Sequence, residues 1–424
     1  MKKLIVTIKK STFEIAKEHR LLRVFLRKAL FLKRLAVYKL RTLGIKSDEK
    51  TVVFCSFDGR EYSCSPKAIY LYMAGNERFC DYKFIWSFNE PEKYGFLLKN
   101  PNTTIVCRKG IEFEKSLAKA GFWIFNYRAP DHIFPKKSQT FFQCWHGTPL
   151  KRLGYDLKNT KNSTNSQKEI YSKYKTDAKK FRYLLSPSAF ASEKFISAWN
   201  LRIAGKENCI FETGYPRNDY LITYPHEDVQ QIKTKLGLIG CDKKIILYAP
   251  TWRDNEHDSA TGFTYNTKVD FDKLRDKLSD KFIILFRAHY LVSNSFDFEK
   301  YNGFVYDVSH YDDINELYVV SDMLITDYSS VFFDYANLKR PIIFYMYDYE
   351  FYKEELRGFY IDMRELPGEI VHTDDDLIKE IYKATEHFEY REKYKAFNDK
   401  YNCLDDGKAA KRVVELLFMS RRLS

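Results

Sequence analysis

Several familiar features are missing from this 424-residue sequence, and each absence removes a class of protein. There are only 8 cysteines, at positions 55, 64, 80, 107, 144, 209, 241 and 403, and none form a CxxC pair. That spacing speaks against a zinc or iron–sulfur site and against a disulfide framework; the thiols are expected to be mostly buried and reduced. No run of 18 apolar residues exists, so no segment reads as a membrane-spanning helix. A basic residue interrupts every apolar stretch between Lys2 and Arg41, unlike a cleaved signal peptide, and the chain is not expected to be exported. The glycines of a phosphate loop are absent, as is a DxD after a strand; the acidic run 374–376 reads as the charge of a helix N-terminus. Neither a metal nor a resident cofactor is expected. Internal repeats and low-complexity linkers are also missing.

What is present is ordinary globular composition, 45% apolar and 30% charged, with length for two or three domains. Aromatic residues reach 17%, so core and clefts should be aromatic-rich. The formal charge is +13, and residues 1–45 hold thirteen Lys/Arg against two Glu, which leaves the remainder near neutral. Within 20–41, Arg20, Arg27, Arg34 and Arg41 recur every seven residues and, with Arg23, form one stripe of a helix. Leu22, Phe25, Leu26, Ala29, Leu32, Ala36 and Leu40 fall on the other side, while Phe31 and Tyr38 sit on the basic one. Such a helix can rest on an anionic membrane surface, pack its apolar side on the body, or bind nucleic acid. No nucleic-acid-binding module accompanies the charge, and the membrane surface is the expected partner.

From residue 51 the pattern alternates short apolar runs with amphipathic stretches. Strands are expected at 51–57, 82–87, 122–126, 140–145, 182–186, 209–213, 243–249, 281–286, 322–326 and 341–345. Helices are expected near 66–74, 110–120, 188–198, 227–236, 270–279, 312–319, 329–338 and 375–387, and 156–170 reads as a surface loop. Apolar strands separated by helices imply parallel sheets buried on both faces, and this many strands imply two α/β doubly wound domains. The expected organisation is a basic helical extension (1–50), an acceptor-side domain (51–225), a donor-binding domain (226–400) and a C-terminal helix (401–424).

Ligands of such sheets bind beyond the carboxyl ends of the strands, which selects candidate residues. After 140–145 come His146, a candidate base, then Gly147, Thr148 and Pro149, which could open a helix facing an anion. Arg217 follows the strand at 209–213 and could reach a phosphate. Thr251 and Arg253 follow the next strand, suited to phosphate oxygens, and Arg287 and His289 the one after. Thr326, Ser329 and Ser330 form a polar turn before a helix, a possible pyrophosphate cradle, and Asp334 lies one turn inside, suited to a ligand hydroxyl or a cation. Plain helix capping by Asp327 or Ser329 is the alternative use of that turn.

HGTPLK, GYPRND, YAPTWRD, FRAH and TDYSSVFFDYA, in that order, resemble the CDP-glycerol glycerophosphotransferase family of teichoic acid and capsule synthesis. The resemblance covers roughly residues 50–400. It implies a GT-B-type pair of facing Rossmann-like domains, peripheral attachment to the cytoplasmic face of the bacterial membrane, and a CDP-glycerol or CDP-ribitol donor. His146 then matches the proposed base, Arg287 and His289 a second pair near the donor phosphates, and Arg217, Thr251, Ser329, Ser330 and Asp334 donor contacts. The implied reaction moves polyol phosphate to a hydroxyl of a lipid-linked glycan and releases CMP. Two rival classes stay open: a GT-B glycosyltransferase using a nucleotide sugar, and a non-catalytic basic membrane- or nucleic-acid-binding protein.

Overall fold

Every residue of β4 (Ala120–Phe125), β13 (Met323–Thr326) and β14 (Ile342–Tyr345) is buried. Strands without a solvated face belong in parallel sheets covered on both sides, and the computed structural model has two. It describes residues 20–157, 166–251, 257–258, 262–263, 269–288, 297–349 and 358–419. β1 (Asp48–Cys55), β2 (Lys83–Phe88), β3 (Thr103–Cys107), β4, β5 (Thr140–Gln143), β6 (Tyr183–Ser186) and β7 (Ile210–Glu212) form one sheet, in the order β3-β2-β1-β4-β5-β6-β7. β8 (Lys244–Ala249), β11 (Phe282–Phe286), β12 (Val305–Asp307), β13, β14 and β15 (Glu369–Val371) form the other, ordered β12-β11-β8-β13-β14-β15. A two-residue pair, β9 (His257–Asp258) and β10 (Gly262–Phe263), follows β8.

All pairings within the two large sheets are parallel, and Leu247 of β8 sits level with Leu285 and Leu324 on its two neighbours. Each sheet starts in its middle and winds outward in both directions, so a crevice opens where the winding reverses, between β1 and β4 and between β8 and β13. The ten expected strands are present; β3, β12, β15 and the short pair are additional. One helix corrects the sequence reading. Gln167–Lys180 begins inside the segment read as a loop, and a capping box between Ser166 and Glu169 starts it. The thiols are a second correction: Cys55, Cys64, Cys144 and Cys209 are buried, but Cys80, Cys107 and Cys403 are exposed, and all eight are free.

The chain leaves the first sheet after β7 and returns near residue 405, so its last helix, Ala409–Met419, packs on the first domain. Phe418 lies 4.2 Å from the Phe122 ring, and Val413, Val414 and Leu417 join that core. The two crossings are stapled together. Asp219 accepts the N–H groups of Ala409 (2.8 Å) and Ala410 (2.7 Å), and Arg412 Nη2 donates to the Thr213 carbonyl at 2.7 Å. Gly214, at φ +76°, allows the close approach: a Cβ there would lie 2.5 Å from the Leu404 carbonyl oxygen.

The N-terminal helix, Arg20–Arg41, docks in an orientation the wheel did not favour. Tyr38 is buried against the first domain, with its ring edge-on to His132. Arg27 pairs with Glu169, and Arg41 with Glu114 at 2.9 Å. Tyr38 therefore turns toward the body, and Arg27 and Arg41 lean on its acids with side chains still 55% and 40% exposed. The apolar side faces outward, with Phe25 68%, Leu32 54% and Leu40 75% exposed and Ala29 and Ala36 exposed beside them. No described helix is long and apolar enough to cross a membrane.

Candidate active site

The two winding-reversal points are built alike. In the first sheet Asn126, one residue past β4, accepts the N–H of Phe57, two residues past β1, at 2.7 Å. In the second, Asp327, one residue past β13, accepts the N–H of Thr251, two residues past β8, at 2.8 Å. Each polar side chain ties together the two strand ends that flank its crevice. The two crevices open on one shared cavity of about 620 Å³, within the usual range for a small-molecule site. Strained backbone gathers at its wall: Phe57, Cys64 and Trp145 have φ of 45°, 64° and 52°, in the left-handed region rarely used by such residues.

His146 lies in this cavity three residues past β5. Its Nδ1 is 2.9 Å from the Asn126 carbonyl oxygen. A carbonyl only accepts, so Nδ1 carries the proton and Nε2 presents a lone pair. The rings of Trp145 (4.5 Å) and Phe57 (5.8 Å) hold the imidazole. Burial, aided by the Arg217 and Arg60 charges, pushes its pKa down to about 4 against the pull of the Asn126 hydrogen bond, so it is neutral at pH 7.

Gly147, Thr148 and Pro149 also line the cavity, but no helix starts there. Residues 150–152 instead pair with 358–360 of the other domain. Leu150 enters the second domain's core, its carbonyl accepts the Tyr360 N–H at 2.8 Å, and Lys151 bridges to Phe359. The expected anion-facing helix is therefore replaced by a strand-like link that ties the candidate base to the opposite domain. Gly147 lies against the polar turn of that domain: a Cβ on it would come 2.7 Å from Ser330 Oγ. Gly147→Ala is expected to displace the Ser330 hydroxyl and raise the donor KM roughly tenfold, measured by steady-state kinetics, with the fold retained.

Thr251, Arg287, Ser329 and Ser330 line the cavity as well. Arg287 is braced from behind, its Nη1 donating to the carbonyls of Val308 (3.1 Å) and Tyr311 (2.5 Å). Thr326 is a correction: it is buried, its hydroxyl donates to the Ala249 carbonyl at 2.7 Å, and it does not reach the cavity. Asp327 does not cap the helix after it; besides Thr251 it accepts the Tyr328 N–H at 2.6 Å. That helix, Val331–Tyr335, is only five residues long.

Arg217 and Asp334 border the cavity yet bind each other. Arg217 Nη2 lies 2.9 Å from both Asp334 oxygens, each residue is 6% exposed, and Asn218 Nδ2 donates to Asp334 at 3.0 Å. The pair joins the interdomain crossing to the helix that follows the Ser329–Ser330 turn. His289 and Arg253 lie outside the described residues, as do the side chains of Arg20 and Arg23. Arg34 is exposed.

The sequence reading omitted several lining residues. Arg60, Glu61 and Ser63 come from the loop after β1, where the strand-end rule pointed but no motif stood out. Ser309, Asp312 and Asp313 follow β12, a three-residue strand that the pattern did not reveal, and Asn315 and Tyr318 lie on the helix beyond it, Ile314–Val320.

Comparison with known proteins identifies the family and the fold. The chain is 39% identical over 380 residues to the teichoic acid poly(glycerol phosphate) polymerase of Bacillus spizizenii, covering 89% of this chain and 94% of that one. It is 38% identical over 376 residues to the teichoic acid glycerol-phosphate transferase of Staphylococcus aureus, covering 88% and 93%. The Bacillus subtilis poly(glycerol phosphate) polymerase is longer: the match, 39% identical, spans 48% of it. The solved structure of the wall teichoic acid polymerase TagF superposes with a TM-score of 0.81 at 37% identity, over 94% of this chain and 98% of that one. The sequence profile of the CDP-glycerol:poly(glycerophosphate) glycerophosphotransferases matches residues 37–419, and the chain belongs to that family of enzymes.

Proposed function

We propose that the enzyme moves polyol phosphate from CDP-glycerol, or CDP-ribitol, to a hydroxyl of a lipid-linked teichoic acid chain. The observation that carries this reading is His146: a neutral imidazole with Nε2 open in a cleft shared by two nucleotide-type sheets. An acceptor hydroxyl attacks the β-phosphorus, its oxygen forming the new phosphodiester while the bond to the bridging oxygen breaks and CMP leaves. His146 Nε2 takes the hydroxyl proton. Arg287 and the Ser329–Ser330 hydroxyls stabilise charge on the transferring phosphoryl group, chemistry in which positioning and electrostatics do most of the work. His289 stands in the same role by resemblance. No step requires a resident cofactor.

The test is a donor panel with a lipid-linked glycan acceptor and chromatographic analysis of the nucleotide released. CMP from CDP-glycerol or CDP-ribitol supports the reading. UDP from a UDP-sugar would instead identify a glycosyltransferase.

The N-terminal helix supports action at the membrane surface. Its exposed stripe of Phe25, Ala29, Leu32, Ala36 and Leu40 is flanked by exposed Lys28, Lys33 and Lys39. An apolar ridge between cations suits the headgroup boundary of an anionic leaflet, and each lysine near it contributes about 1 kcal/mol. The proposed site of action is the cytoplasmic leaflet, where nucleotide-activated donors are made. Replacing Phe25, Leu32 and Leu40 together by Glu is expected to abolish cosedimentation with phosphatidylglycerol vesicles. Turnover on a soluble acceptor should be unchanged, because none of the three borders the cavity.

A further inference from the structure

The cavity is chemically divided. The Ser329–Ser330 turn, Thr148 and Arg287 offer donors suited to an anion, but the wall between residues 61–63 and 312–318 is rich in acceptors. Glu61 accepts from Ser63 Oγ at 2.9 Å, and Asp312 accepts the Tyr62 N–H at 3.4 Å across the domain boundary. Asp313, beside them, is already matched by Lys67 at 2.7 Å. A carboxylate facing a diphosphate is repelled by it, so Glu61 and Asp312 call for a different ligand group.

A second observation shows what that group is. Asn315 is 3% exposed and its Nδ2 donates to the Arg217 carbonyl at 2.5 Å, which fixes the amide and leaves Oδ1 without a partner. Tyr318, one turn along the same helix and fully buried, keeps an unpartnered hydroxyl. Both residues line the cavity. A buried acceptor and a buried hydroxyl left unsatisfied cost free energy until a partner arrives. Asn315 Oδ1 and the carboxylates can be satisfied only by donors, and a phosphate oxygen is not one. A sugar-alcohol hydroxyl donates and accepts at once. Burial also raises the Glu61 carboxyl, held back by Arg287, Ser63 and Arg60, and raises Asp312, held back by Tyr94, the Tyr62 N–H and Lys67.

We propose that Glu61, Asp312, Asn315 and Tyr318 form a hydroxyl-reading subsite that binds the polyol and sets which polyol is used. The inference rests on the polyol-phosphate reading above. The polyol can come from the donor or from the terminal unit of the acceptor chain, and the two sources separate experimentally.

Glu61→Ala, with Glu61→Gln as the isosteric companion, is compared with the unaltered enzyme in three measurements: the Kd of CMP, the Kd of CDP-glycerol, and the acceptor KM. Melting curves establish that each variant is folded. If the donor polyol occupies the subsite, the Kd of CDP-glycerol rises about tenfold while that of CMP does not rise. If the acceptor's terminal polyol occupies it, acceptor KM rises about tenfold and both Kd values stay put. Equal weakening of CMP and CDP-glycerol, or no change in any of the three in a folded variant, overturns the subsite. An unaltered enzyme that binds neither CMP nor CDP-glycerol would overturn the polyol-phosphate reading itself, and the subsite with it.

Discussion

Replacing His146 with Ala is expected to lower kcat by on the order of 10²- to 10⁴-fold, the span of a lost general base, while CDP-glycerol still binds. The imidazole's position depends on the Asn126 carbonyl and on packing against the tilted Trp145 ring, not on any role in the core, so the variant should melt close to the unaltered enzyme. A pH profile adds a sharper reading. With its pKa near 4 in the free enzyme, His146 is deprotonated across the neutral range, and protonation disables it only in acid. The acid limb of kcat/KM should therefore lie well below the 6.5 of an ordinary imidazole. A bound diphosphate places negative charge beside the ring and favours its protonated form, so the acid limb of kcat should lie higher than that of kcat/KM. Both limbs at or above 6.5, or an alanine variant turning over at the original rate, would remove His146 from the chemistry.

Asp334→Ala is expected to produce the largest loss of stability. Asp334 takes two hydrogen bonds from Arg217 Nη2, one of its oxygens also accepts from Asn218, and Arg217 is 6% exposed. Removing the carboxylate strands a buried cation, which costs about 3–5 kcal/mol. For domains of this size that corresponds to a fall in Tm of roughly 10 °C, read by thermal denaturation. The double replacement Arg217→Met with Asp334→Leu should recover most of that loss, since matched apolar side chains leave no charge unpaired. It should not recover activity if the pair also registers the Ser329–Ser330 turn against the crossing. Full activity in the double variant would show that the pair serves stability alone.

The fold was legible because most of its strands carry a continuous apolar run, and the ten predicted segments correspond to ten observed strands. Val305–Asp307 and Glu369–Val371 escaped notice because they are brief and carry charge, and Thr103–Cys107 because it opens on two threonines. Missing the first concealed the residues after it, and with them the Asp312 side of the cleft. The rule that ligands gather beyond strand ends did select His146, Thr251, Arg287 and Ser329–Ser330, all of which border the cavity. It failed for Thr326, which is still within β13. Arg217 and Asp334 passed as ligand contacts because their pairing joins residues 117 apart in sequence, a distance that local pattern does not span. The docking of the N-terminal helix was hidden for a related reason. A helical wheel shows which residues share a side, but the body's own groups, His132 against Tyr38 and the acids Glu114 and Glu169, decide which side turns inward.

The most direct measurement of the central claim is a crystal structure of the full chain with CDP-glycerol bound. The diphosphate is expected between the His146 imidazole and the Ser329–Ser330 turn, with contacts from both domains to one donor molecule. A donor seated on the outer face of either sheet, or held by one domain with its β-phosphorus out of reach of His146, would contradict the account.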